Sequence, residues 1–486
     1  MSIVHLTTAI VMAFLFTPLS IPASAKPHQH ASPHPHDHAA KFRIDTAKLP
    51  GLDKELTALP QWSGDIPVGN NNTLFFWYTQ AKNPKSDNLI FWHNGGPGCS
   101  SMEGLFEEIG PYRSKDQGHT WHMNPYSWHN FGHIVYIDQP FGTGFSTNNV
   151  TVPNEDFIGN TMVNFYLNFF KAFPEMKSKD MYIAGESYAG RYIPYMAKHV
   201  LDHNDKHKNE LIKLQGIVLG DAYVDTDINN NFINYLPFVK EHKWIYANNE
   251  TWLAEAEQLV EQAKKLSGCG SAKSDSEVSD ACVALENQFY TDMPYPVVYP
   301  LPLNCTNGGY PMYYDPYNIN IKDCLQAQID DSAAQASWEY YLNLPEVQDQ
   351  IHISAPTHYA DCVNINSGIY TLDSSVVTKY FIGSLIDRGL KVTMYSGLLD
   401  SVVPHTLTEA VIREMTWKGH KGFAHSKMTK ATMKPIITGR PAKQRGRYHS
   451  ERGLTYVVVD NSGHMMPRDD PVTAFWMMDK IVINKH

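Results

Sequence analysis

Between about residues 75 and 220, five short apolar runs alternate with longer segments of helical pattern: "TLFFWYT", "NLIFWHN", "HIVYIDQP", "MYIAGES" and "LIKLQGIVLGD". Alternation of this kind predicts a parallel or mixed sheet with helices on its faces. The rhythm stops between about 222 and 365. There, helical stretches such as "ETWLAEAEQLVEQAKKL" lead into a Cys-, Pro- and Tyr-rich segment, "YTDMPYPVVYPLPLNCTNGGYPMYYDPYN". It resumes at "LKVTMYSGLLD" and "GLTYVVVDNSGH". The expected organisation is a first core part over 42–221, an insertion capping the sheet over 222–365 and a second core part over 366–486. The segment from Arg413 to Arg452 carries eleven Lys/Arg against two Glu. A solvated hairpin or loop is the first reading of it, and a protease-sensitive site the second.

Composition excludes some functions. The net charge of −10 over 486 residues argues against nucleic acid as the main partner, because phosphate binding needs a basic face. Residues 1–25, with "AIVMAFLFTPLSIP" before "ASA" and Lys26, predict a secretory signal peptide, too short for a membrane anchor. No later segment has eighteen consecutive apolar residues, so no membrane span is expected. The tract over 26–41 has five histidines among Pro, Ala and Ser; it predicts a disordered leader first, adventitious metal binding second and a catalytic metal site a distant third. No metal or other cofactor is expected anywhere. Cys99, Cys269, Cys282, Cys305, Cys324 and Cys362 are an even set with no C-x-x-C pair, which in a secreted chain favours three disulfides in any of 15 pairings. Asn71, Asn149, Asn249 and Asn304 each begin an N-x-S/T sequon, a candidate glycosylation site.

The chemistry concentrates on "IAGESYAGRY", residues 183–192. A strand-like run, a serine between two glycines and an amphipathic run describe a strand, a sharp turn and a helix, the geometry of a nucleophile elbow at Ser187. A serine nucleophile needs a base, and the base needs an acid to orient it. In α/β-hydrolases these follow in the order acid, then histidine, on loops after strands. Asp400 after "KVTMYS" and His464 after "LTYVVV" fit that order. The Gly-rich "WHNGGPGCSSMEGLFEEIGP" (92–111) offers the Gly96 N–H as an oxyanion donor beside that of Tyr188.

Taken together, "WHNGGPGCSS", "YIDQPFGTGFS", "GESYAGRYIP" and "NSGHMMP" closely resemble the serine carboxypeptidases, from about residue 42 to the C-terminus. The resemblance implies an α/β-hydrolase fold, a mixed, mostly parallel sheet flanked by helices with a helical and irregular cap. It implies Ser187, Asp400 and His464 as a triad and Gly96 with Tyr188 as oxyanion donors. It further implies that Asn94, Gly95, Glu108 and Glu186 receive the free C-terminal carboxylate of a peptide, with Trp92 supporting the loop. Two glutamates can do this only by sharing protons in an acidic medium. The pairings Cys99–Cys362, Cys269–Cys282 and Cys305–Cys324 come from the same resemblance. Two departures stand out: Val403 occupies a place where many members carry a cysteine, so no thiol is expected near the site, and "SGLLD" replaces the usual Gly-Asp-x-Asp.

The expected function is a serine-type exopeptidase, secreted or vacuolar/lysosomal, acting on peptides or proteins with a free C-terminus. An acyltransferase of the same fold and a non-catalytic binding or protective protein are the alternatives. Monomer and homodimer are both left open.

Overall fold

The computed structural model describes residues 39–483, apart from 115, 117, 147–149, 230, 243–248, 267, 268, 270–279, 293–336, 364–377, 434–442 and 461. The expected signal peptide, nearly all of the leader, Asn149, Asn304, Cys305, Cys324 and the Tyr/Pro-rich stretch from 293 onward lie outside the described residues.

Ten strands form one mixed sheet: β1 (Gln61–Gly69), β2 (Asn72–Thr79), β3 (Asn88–His93), β4 (His133–Ile137), β5 (Asp180–Glu186), β6 (Leu214–Gly220), β7 (Lys391–Gly397), β8 (Thr429–Met433), β9 (Lys443–Glu451) and β10 (Leu454–Val459). Their spatial order is β1-β2-β4-β3-β5-β6-β7-β10-β9-β8. The six central strands, β4 to β10 in that order, pair in parallel. The outer pairs are antiparallel.

Why the centre is parallel follows from its residues. All six residues of β3 are buried, which requires cover on both faces of the sheet. Side chains alternate along a strand, so Phe91 joins one core and its neighbour Ile90 the other. The first face is covered by α1 (Glu155–Ala172) and α2 (Ala189–Lys206). Phe165 and Phe169 of α1 form an aromatic cluster with Phe76, Phe91 and Phe173, edge-to-face against the sheet residues and stacked between Phe169 and Phe173. Asn154 starts α1 by accepting the Phe157 N–H at 2.9 Å, which satisfies one of the helix's orphan donors. On the other face Leu105, Phe106, Trp121, Trp338 and Met477 pack against Trp77, Ile90 and Tyr182.

In register, His93 pairs with Gly185, Glu186 with Gly220, and Gly220 with Tyr395. The carboxyl ends of β3, β5, β6 and β7 are therefore level, and the loops that follow them meet. Within the inserted stretch, α3 (Phe232–Glu241), α4 (Glu250–Ala263) and α5 (Asp280–Asp292) share a separate core of Phe238, Trp252, Leu259 and Phe289. Leu407 of α6 (His405–Glu414) completes that core. The Cys269–Cys282 disulfide links the segment after α4 to α5, and Cys99–Cys362 joins points 263 residues apart.

The sequence reading begins its strands at "TLFFWYT" and has nothing for β1, whose "QWSGDIPVG" contains a proline and two internal or terminal glycines. At a sheet edge these residues are tolerated, because only one side of the strand has to pair. The basic segment forms the antiparallel β8–β9 hairpin, largely solvent-facing, in line with the first of its two readings.

Phe169 is fully buried within the aromatic cluster. Phe169→Ala is expected to lower stability by about 3–5 kcal/mol, read as a shift of the denaturant midpoint, while the folded fraction keeps its specific activity.

Candidate active site

Ser187 stands between β5 and α2 with φ +58°, a left-handed conformation unusual for any residue but glycine. Three backbone bonds hold it there. Its N–H donates to the Gly220 carbonyl, and its own carbonyl accepts from Gly190 and Tyr223, each at 2.9 Å. The turn is also crowded: a Cβ on Gly185 would lie 2.1 Å from the His93 carbonyl oxygen. Ser187 remains partly exposed between buried Glu186 and Tyr188. Strain retained under such constraint is typical of functional turns.

Asp400 and His464 arrive on the loops after β7 and β10. His464 Nδ1 donates to Asp400 Oδ2 at 2.9 Å, which leaves Nε2 of a neutral ring as the base. The other carboxylate oxygen, Oδ1, accepts the N–H groups of Val402 at 2.7 Å and Val403 at 3.1 Å. Asp400 is thus fixed at both oxygens. Burial pushes the His464 pKa down, but the charge and hydrogen bond of Asp400, with Glu108 adding to them, outweigh this and raise it. Val403 is buried, and no free cysteine occurs among the described residues.

The loop after β3 lies against the elbow. A Cβ on Gly95 would come within 2.5 Å of the Tyr188 nitrogen and 2.7 Å of the Ser187 Cβ, so only glycine allows this approach. The loop is secured from behind by Cys99–Cys362 and by the Ser100 N–H, which donates to the Asp361 carbonyl at 2.8 Å.

Asn94 organises the acids. Its Oδ1 accepts from Trp92 Nε1 at 2.6 Å and from the Gly104 N–H at 3.1 Å. Its Nδ2 donates to Glu108 Oε1 at 2.8 Å and to Glu103 Oε2 at 3.0 Å. Glu108 and Glu186 are buried and hydrogen-bonded to each other, which two ionised carboxylates cannot be. Burial raises both pKa values. At Glu108 the bonds from Glu186 and Asn94 offset part of the rise; at Glu186 the charge and hydrogen bond of Glu108 add to it. The pair therefore holds a proton between its two carboxyl groups.

The structure brings the loop of Asn94 and Gly95 against Ser187 and Tyr188, Glu108 against Glu186, and His464 against Asp400, on the loops after β3, β5, β7 and β10. The sequenced sequons that are described, Asn71 and Asn249, are exposed, and Asn249 caps α4. Glu103 was not anticipated. It belongs with the acids because residues 104–108 form a π turn, with the Ile109 N–H bonded to the Gly104 carbonyl at 3.0 Å. A turn of this width brings residues five apart onto one face. The spacing of Glu103 and Glu108 was the available signal, hidden by the usual period of 3.6.

Sheet order, elbow and the Asp400–His464 pair on later loops define an α/β-hydrolase. Sequence comparison refines this. The family described as serine carboxypeptidase matches residues 50–484. The pheromone-processing carboxypeptidase KEX1 of Phaeosphaeria nodorum is 33% identical over 465 residues, covering 91% of this chain and 68% of that protein. Its counterpart from Neosartorya fischeri is 31% identical over 486 residues, covering 98% and 71%. In fold, the chain is similar to the crystal structure of KEX1(delta)p, a prohormone-processing carboxypeptidase from Saccharomyces cerevisiae, with a TM-score of 0.73 at 24% identity, covering 91% and 95%. The chain belongs to the serine carboxypeptidase family, and is a serine-type exopeptidase.

Gly95→Ala is expected to lower kcat/KM by about 100-fold or more by displacing the oxyanion donors, and to lower Tm as well, because the atoms its Cβ would meet are backbone and Cβ atoms that cannot swing aside. Activity within a few-fold of wild type would show that the loop does not press on the elbow.

Proposed function

We propose that the enzyme releases C-terminal amino acids from peptides and proteins through an acyl-enzyme on Ser187, and that it works best in mildly acidic medium. The observation that carries this reading is the buried Glu108–Glu186 pair next to the elbow. A site that holds a proton between two acids is suited to receive a carboxylate, and ill suited to a neutral or cationic group.

In this reading Ser187 Oγ attacks the last peptide carbonyl while its proton passes to His464 Nε2. The N–H groups of Gly96 and Tyr188 bind the oxyanion; neither donates elsewhere in the backbone among the described residues. The imidazolium, stabilised by Asp400, protonates the departing amine, and water then attacks the acyl-serine with His464 as base again. The substrate carboxylate lies against the Gly95 N–H and the protonated glutamate pair. Asn94, with both amide hydrogens on Glu103 and Glu108, keeps those acids in place. The names of the relatives, pheromone-processing carboxypeptidases, support peptide or protein substrates with a free C-terminus. The secretory pathway is the proposed compartment, supported by the two disulfides. No described helix is long and apolar enough to cross a membrane. Glycosylation at exposed Asn71 and Asn249 belongs to the same proposal.

Ser187→Ala should fold normally and lose about 10⁴-fold or more in kcat. A fluorophosphonate probe should label the wild type at Ser187 and leave this variant unlabelled. Labelling elsewhere, or retained turnover, removes Ser187 from the mechanism.

The pH dependence has two limbs. Glu186, with its pKa raised, keeps its proton in mild acid and loses it as pH rises, whereupon the pair repels the substrate carboxylate and KM climbs. His464 must be neutral to act as base and its pKa is raised, so kcat falls as pH drops through that raised value. The proposed optimum lies where this loss balances the gain in substrate binding. For a blocked dipeptide acid and its amide, only the acid should show the alkaline rise in KM, and Glu108→Gln should flatten it. Equal KM profiles for acid and amide in the wild type would overturn the carboxylate-reading role.

A further inference from the structure

Asp221 follows β6 at the same level as the site, fully buried and with φ +42°. Its N–H donates to the Tyr395 carbonyl at 2.8 Å, and its Oδ1 accepts the Gly397 N–H at 2.7 Å. Both contacts are with β7, three to five residues before Asp400. The second oxygen, Oδ2, is buried and has no donor among the described residues. Its carboxyl is instead in hydrogen-bond contact with that of Asp400. Asp400 itself is acceptor to His464, Val402 and Val403 and has no hydrogen to give. Two carboxyl groups can be in hydrogen-bond contact with each other only when one proton lies between them.

We propose that Asp221 is a positioning residue for the triad: it carries a proton on Oδ2 and donates it in a hydrogen bond to the Asp400 carboxylate, holding that carboxylate toward His464. The proton is not transferred during turnover. It stays on Asp221 and fixes the negative charge on Asp400, the partner that His464 requires. The titratable groups acting on Asp221, or acted on by it, are Asp400, Asp469, Glu186, Tyr395 and Tyr456. All are acids, so each disfavours a second ionised carboxylate here. Burial first, then the charge of Asp400, raise the Asp221 pKa well above the usual range. The competent, protonated form is therefore present in acid and lost as pH rises through that pKa. This places a second alkaline limit on the enzyme, in kcat and not in KM, separate from the one set by the glutamate pair.

The inference rests on the triad reading and deepens it, so the test separates the two. Fluorophosphonate labelling of wild type at acidic pH comes first; its failure overturns the triad and this proposal with it. With labelling present, kcat is followed against pH for wild type and Asp221→Asn on a blocked dipeptide amide, which lacks the carboxylate read by Glu108 and Glu186. Asparagine can accept from Gly397 and donate to Asp400 at any pH. Near the acid optimum the two kcat values should agree within about threefold, and the alkaline fall of Asp221→Asn should lie about one pH unit or more higher. A second readout does not depend on activity. The gap in Tm between Asp221→Asn and wild type should open as pH rises above the unfolded aspartate value of about 3.9, then stop growing once the native Asp221 has ionised. Superimposed kcat profiles, or a Tm gap independent of pH, would overturn the proposal while leaving the triad intact. Failure of Asp221→Asn to fold would overturn it too, because an amide of that shape replaces a protonated acid directly.

Discussion

Too many carboxyl groups occupy the ends of the central strands for all of them to be ionised, and the rest of the site is arranged around that constraint. Glu108 and Glu186 are buried against each other, Glu103 shares Asn94 with Glu108, and Asp400 is buried beside His464. Isolated burial of such charges would cost several kcal/mol each. The site meets this by different means at each acid. Asp400 is held by two backbone N–H groups and an imidazole, whereas the glutamate pair retains a proton. One small volume thus contains a carboxyl group bound to an imidazole and, beside it, a pair of acids that share a proton.

The parallel sheet makes this density attainable. Level strand ends deliver the elbow, the Gly-rich loop, Asp400 and His464 from four separate stretches of chain to one place, without any one stretch having to fold back on itself. The antiparallel outer strands contribute no site residue. They close the sheet at both edges.

Much of this was legible in the sequence for a physical reason. Central strands are buried on both faces, so β3, β5 and β10 read as unbroken apolar runs, and the glycines at 95 and 185 mark places where a side chain would collide with neighbouring backbone. Ser187, Asp400 and His464 follow from order and loop position, and the glutamates from resemblance. What escaped was set by geometry across the fold. β1 has its proline because it is an edge; Glu103 faces Glu108 only on a widened turn; and nothing within "LGDAYVDT" indicates that one of its carboxyls meets another from a distant strand. The pairings Cys99–Cys362 and Cys269–Cys282 are present, while Cys305 and Cys324 lie outside the described residues.

The Cys99–Cys362 bridge has a topological effect beyond steadying the Gly-rich loop after β3. It closes a covalent ring through the chain that contains α1, α2, the elbow and the helices of the inserted stretch. Any single cut between residues 100 and 361 opens that ring without separating its ends. The two fragments remain one molecule until the bridge is reduced, and Gly95 stays tethered through Cys99 to the segment that supports it. A processed two-chain form would therefore be indistinguishable in mass from the single chain, save for one added water, unless a reductant is present.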